Sequence, residues 1–99
     1  MIGIDLVDLT RFETTTKLSR YLSRFCVDGV TPLAAAKTWA CLEAIIKAED
    51  RPFDPTQIQI RFPKGQRPTV SDPNHVLSGN YVLGLSHESQ MVIAVAIRA

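Results

Sequence analysis

Two carboxylates in this chain occupy positions where a carboxylate is costly. Asp5 is the only charged side chain in the apolar run from Met1 to Val7. Glu43 lies in Trp39-Ala40-Cys41-Leu42-Glu43-Ala44-Ile45-Ile46-Lys47, where helical spacing puts it on a stripe with Ala36 and Ala40. A buried carboxylate without a compensating partner is strongly unfavourable, so two of them point to a shared cation. Mg²⁺ suits such a pair, because it accepts a few carboxylate oxygens, keeps several waters and completes its shell with substrate phosphates. Each residue also has a plainer reading. Asp5 could accept backbone amides at a strand end, and Glu43 could pair with Lys47 four residues on, the favourable helical orientation.

Ser86-His87-Glu88 does not form a serine–histidine pair, since adjacent residues of an extended segment project in opposite directions. His87 is either solvated or a hydrogen-bond donor to a phosphate or ribose. Lys17, Arg20 and Arg24 recur at i, i+3 and i+7 with Arg11 upstream. They form a solvated helix face or a docking surface for an acidic partner. A net charge of +1 excludes a bulk polyanion binder, so no nucleic-acid partner is expected.

Cys26 and Cys41 make neither a disulfide framework nor a metal-ligand pattern, and read as reduced core thiols of a cytoplasmic protein. No basic segment precedes the N-terminal apolar run, so no signal peptide is expected. The longest apolar run, Met91 to Ile97, falls well short of the roughly 20 residues of a membrane helix.

The elements that must position these residues follow from periodicity. Met1 to Val7 reads as a buried strand with Ile2, Ile4 and Leu6 on one face and Gly3 and Asp5 on the other. A helix is predicted over about Leu9 to Phe25, with Leu18, Tyr21, Leu22 and Phe25 as its buried stripe; Thr14 to Thr16 weaken it and Asp28-Gly29 end it. Thr31-Pro32 starts a second helix, which runs to about Glu49. That helix is predicted to pack on the sheet through Ala35, Trp39, Leu42 and Ile46. Its neighbouring stripe of Ala36, Ala40, Glu43 and Lys47 is small enough to admit a strand near Glu43.

Beyond Pro55 the pattern turns to strands: Gln57 to Phe62, a short return over Arg67 to Val70, then a hairpin of Tyr81–Leu85 and Met91–Ile97 across Ser86–Ser89. The segment from Ser71 to Asn80 reads as a loop with one helical turn, and His75 within it carries no signal. The expected fold is α+β over a single domain, residues 1–99: a mainly antiparallel sheet with two packed helices.

Gly3-Ile4-Asp5 and Trp39 to Lys47 resemble the two signature motifs of the 4'-phosphopantetheinyl transferases. Those motifs read Gly-Ile/Val-Asp, and then aromatic, small, any residue, Lys-Glu, small, two apolar residues, Lys. The resemblance is closest to the short holo-acyl-carrier-protein synthase branch. There the first strand continues into a stretch similar to Leu6-Val7-Asp8-Leu9-Thr10-Arg11-Phe12. Gly65-Gln66-Arg67-Pro68 resembles the family's Gly-Lys/Arg-Pro with one residue inserted, and Leu83 to Glu88 its Ser-Ile-Ser-His hairpin. Four motifs thus stand in register along the whole chain.

The resemblance implies transfer of the phosphopantetheine arm of coenzyme A to a serine of an apo acyl carrier protein, releasing adenosine 3',5'-bisphosphate. It implies an α+β fold and a homotrimer with active sites between subunits. By the same resemblance Asp5 and Glu43 hold Mg²⁺ on the coenzyme A pyrophosphate and are the catalytic residues, with Glu43 the base for the serine. Lys47 is a contact to a coenzyme phosphate or to the carrier, Arg67, Ser86 and His87 contact the coenzyme, and Arg11, Lys17, Arg20 and Arg24 meet the carrier's acidic helix. One departure stands out: the lysine before the signature glutamate is Leu42 here. Its loss supports an alternative, a relative that binds coenzyme A or a carrier protein without catalysis. Lys37 falls on a different helix face from Glu43 and is a poor substitute for that lysine.

Overall fold

A computed structural model describes residues 1–25, 27 and 29–99; the expectations for Cys26 and for the Asp28 stop fall outside the described residues. The order is β1 (Ile2–Asp8), a 3-10 turn at Leu9–Phe12, α1 (Thr15–Arg24), α2 (Pro32–Ala48) and a 3-10 turn at Pro55–Gln57. Then come β2 (Gln59–Arg61), β3 (Thr69–Ser71), β4 (Tyr81–Glu88) and β5 (Met91–Arg98). This is the α+β architecture expected. β1, β5 and β4 form an antiparallel sheet in that order, and β2 and β3 form a separate antiparallel pair. Among the described residues, no helix is long and apolar enough to cross a membrane.

The first predicted helix is in fact two pieces. Asp8 caps the 3-10 turn by accepting from the Thr10 amide at 3.0 Å and hydroxyl at 2.9 Å. Thr14 then caps α1, accepting from the Lys17 amide at 3.4 Å. Short polar side chains that bond to nearby backbone compete with a continuous helix, which is why Asp8 and Thr14 divide this one. Thr31 caps α2 as predicted, with Pro32 at its first position.

The main sheet lies on α2 through its smallest residues. Register puts Gly3, Asp5 and Val7 of β1, Ala96, Ala94 and Val92 of β5, and Leu83 and Leu85 of β4 on one face. Val7, Val92, Ala94 and Ala96 on that face are wholly buried, as are Ala40, Ala44 and Ile45 of α2. The stripe of Trp39, Leu42 and Ile46 does not meet the sheet as expected. Trp39 packs against Phe12, Tyr21 and Phe25, while Leu42 and Ile46 line a groove with Phe25 and Pro55. The alanine side of α2 takes the sheet because only small side chains let a strand approach this closely.

β1 also buries the face opposite to the one its apolar residues suggest. Ile2, Ile4 and Leu6 are 62%, 56% and 56% exposed, alongside outward Val82, Ile93 and Ile97. β4 runs on through Ser86 and His87 to Glu88, so the hairpin tip is Ser89-Gln90 and not Ser86–Ser89. The segment from Asp72 to Asn80 contains no helical turn. Asp72 organises it instead, accepting from the amides of Val76 at 2.9 Å and Leu77 at 3.0 Å.

Candidate functional site

Asp5 lies on β1, opposite Ala94, with its side chain only 12% exposed. Lys47, in the last turn of α2, donates from Nζ to Asp5 Oδ1 at 2.8 Å and to the Ile4 carbonyl at 3.1 Å. The other carboxylate oxygen, Asp5 Oδ2, is buried and has no hydrogen-bond partner among the described residues. A buried polar atom left unpaired is uncommon in native proteins and calls for an explanation.

Glu43 lies one helical turn before Lys47 and so shares its face of α2. It is half-buried and makes no hydrogen bond or ion pair among the described residues. The surface pair of Glu43 with Lys47 is therefore not formed, because Lys47 turns to Asp5. Among the described residues no cluster of three or more His, Cys, Asp or Glu side chains could hold a metal.

Arg11, Lys17, Arg20 and Arg24 converge on one groove of about 330 Å³, floored by Phe12, Tyr21, Phe25 and Trp39. The Arg11 guanidinium sits 5.1 Å from the Trp39 ring centre, and that of Arg24 sits 5.5 Å from Phe25. None of the four cations forms an ion pair among the described residues. Arg24, Phe25 and Trp39 also line the adjoining groove that holds Glu43. The basic groove therefore leads to Glu43. The aromatic floor was legible in sequence only as core stripes, since spacing does not show which ring edges remain accessible.

Tyr21 adds a hydroxyl that is buried without a partner among the described residues. Burial, then the nearby Cys41 and Glu43, push its ionisation upward. Burial likewise pushes the Cys41 thiol up to about 12, so it is an inert core thiol.

The remaining predicted residues lie across the sheet. Ser86 pairs with Ile93 on the outward face and His87 with Val92 on the helix-facing side, so they project oppositely. The His87 Nε2 atom lies 3.2 Å from the Ser89 carbonyl oxygen. β5 separates them from Asp5, and two strand spacings amount to about 10 Å. Arg67 is on their side too, in a cleft of about 470 Å³ with Lys37, Lys64 and Leu85. Lys37 rests 4.8 Å from the centre of the Phe62 ring in that cleft. The predicted residues are thus divided: Asp5, bound to Lys47, lies on the β1 side of the sheet, and Arg67, Ser86 and His87 lie on the β4 side.

No protein-family model matches the sequence, and no curated protein matches it by sequence. Solved structures do match it in shape. The holo-acyl-carrier-protein synthase of Helicobacter pylori, in complex with coenzyme A, superposes with a TM-score of 0.80 at 22% identity, covering 100% of both chains. That of Neisseria meningitidis gives 0.80 at 21% identity, covering 99% of this chain and 96% of the other. The acyl carrier protein synthase of Mycobacterium tuberculosis gives 0.70 at 24% identity, covering 99% and 95%. The chain has the holo-acyl-carrier-protein synthase fold from end to end.

Proposed function

We propose that this protein transfers the phosphopantetheine arm of coenzyme A to a serine of an acyl carrier protein. The observation that carries this reading is the Asp5 carboxylate, with one oxygen on Lys47 and the other buried and unpaired among the described residues. It belongs to a chain whose fold matches holo-acyl-carrier-protein synthases throughout.

The unpaired Asp5 Oδ2 and the unengaged Glu43 carboxylate fit a hard divalent cation, and they are the residues that would hold Mg²⁺. When bound, Mg²⁺ supplies charge neutralisation at the coenzyme A pyrophosphate. Lys47 adds a positive charge for the same phosphates. Glu43 accepts the proton of the carrier serine as its oxygen attacks the phosphorus, and adenosine 3',5'-bisphosphate leaves. Reactions of this kind depend on positioning and electrostatics more than on covalent help from the protein. Arg11, Lys17, Arg20 and Arg24 receive the acidic carrier, and their groove delivers its serine toward Glu43.

The separation of Asp5 and Lys47 from Arg67, Ser86 and His87 across the sheet supports a homo-oligomer, and we propose a trimer in which the β4 edge of one subunit completes the β1 edge of its neighbour. The exposed face of Ile2, Ile4, Leu6, Ile93 and Ile97 supports the same assembly, since patches of this kind mark association surfaces.

Leu42 favours a second reading, a relative that binds without catalysis. Leucine carries no charge, so this position, which lines the groove with Glu43, supplies no cation. Incubating the protein with apo carrier protein, coenzyme A and Mg²⁺ and weighing the carrier by mass spectrometry tests the first reading. A carrier that gains the phosphopantetheine mass supports transfer. An unchanged carrier, with coenzyme A binding retained in calorimetry, supports the second.

A further inference from the structure

We infer that Lys47 and the divalent cation compete for Asp5, so that Lys47 acts as a built-in counter-ion that metal loading displaces toward the coenzyme A phosphates. This inference rests on the proposed function and concerns the order in which its parts engage.

The moving part is identified by burial. Asp5 is fixed by the β1–β5 ladder and is 12% exposed, whereas the Lys47 side chain is 51% exposed on a flexible stem. Lys47 also has a choice of anions and takes Asp5 Oδ1 and the Ile4 carbonyl, leaving Glu43 without an ion pair among the described residues. Two carboxylates against one ammonium leave a local charge of about −1. Adding a divalent cation while Lys47 stays in place reverses that to about +1, with the two cations repelling each other. Moving Lys47 outward relieves the repulsion, and coenzyme A phosphates then give it a new partner.

The effect of removing the ammonium therefore has opposite signs for the two ligands. Lys47→Met should bind Mg²⁺ alone roughly tenfold more tightly than the wild type, and should bind coenzyme A with Mg²⁺ more weakly. Lys47→Arg, which keeps the charge, should bind Mg²⁺ alone no more tightly than the wild type. Isothermal calorimetry on the full chain reads both, with circular dichroism to establish that each variant is folded. Lys47→Gln serves as the second charge-removing variant if Lys47→Met does not fold.

Mg²⁺ bound by the folded charge-removing variant no more tightly than by the wild type would overturn the exchange while leaving the two-carboxylate site intact. Mg²⁺ bound by neither protein, with or without coenzyme A, would overturn that site and the exchange with it. A merely structural role for Lys47 weakens both ligands together and cannot produce the opposed pair of changes.

Discussion

Gly3 lies directly against the backbone of Ala44. A β-carbon on Gly3 would collide with the Ala44 carbonyl oxygen and sit 2.9 Å from the Ala48 nitrogen. This close approach of β1 to α2 brings Asp5, two residues along the strand, within reach of Lys47. The glycine of the Gly3-Ile4-Asp5 motif is thus required for packing, and the aspartate depends on it for position. Gly3→Ala should cost on the order of 3 kcal/mol, since a backbone collision relaxes poorly. Urea unfolding reads this directly, and an unchanged midpoint would show that strand and helix do not need such contact.

The signature carboxylates should separate activity from stability. Glu43→Gln removes the proposed proton acceptor, a role worth roughly 10²–10⁴-fold in rate, and should leave the fold unchanged. Asp5→Asn should also abolish transfer. Its cost to stability should be about 1 kcal/mol or less, because the Lys47 side of the pair is half exposed. Transfer rates and thermal melts of both variants test this, and full activity in either would remove that residue from the mechanism.

Much of the fold was legible because caps and periodicity are local. Thr31-Pro32 marks the start of α2, and the small side chains of Ala36 and Ala40 anticipate a strand close to this helix, which seats against Ala44. The inward face of β1 was not legible, because Ile2, Ile4 and Leu6 carry the stronger apolar signal. That signal belongs to a surface, and sequence alone does not distinguish a core from an association face. The cost of burying Asp5 was legible, but Lys47 choosing Asp5 over its helical neighbour Glu43 is a tertiary fact. The division of Arg67, Ser86 and His87 from Asp5 depends on strand order, which local patterns do not specify.

Glu49 gives a pH-dependent test of the fold. Burial pushes its carboxyl upward, but hydrogen bonds from the Tyr81 hydroxyl at 2.7 Å and the Ser78 amide at 2.9 Å, with Arg98 nearby, hold it below its ordinary 4.5. A depressed carboxyl stabilises the fold above its unfolded value, and that contribution is lost as pH falls through the folded one. Glu49→Gln should therefore lower the melting temperature at neutral pH, with the gap to the wild type closing in acid below about 4.5. A gap that stays constant with pH would show that Glu49 acts only as a neutral acceptor.

The outward sheet face gives a test of assembly. Ile4 and Ile97 are both exposed in the single chain, and burying such a side chain stabilises by about 1.5–3 kcal/mol. Ile4→Lys or Ile97→Lys should shift the protein to monomer in sedimentation and abolish transfer, with secondary structure retained. A wild-type protein that sediments as an active monomer would refute the shared site.

The basic groove gives the last test. Arg20 is exposed, forms no ion pair among the described residues and lies beside Arg24, whose groove continues to Glu43. Charges of this kind govern encounter more than final affinity. Arg20→Glu should therefore lower kcat/KM for the carrier by slowing association. Screening lengths fall from about 10 Å at 0.1 M salt to about 3 Å at 1 M, so the defect should shrink as salt rises. Coenzyme A binding should not change, because Arg20 lines the groove proposed for the carrier and not the cleft of Arg67. Stopped-flow association at two salt concentrations measures the effect, and unchanged carrier kinetics at low salt would leave the four cations as a solvated face.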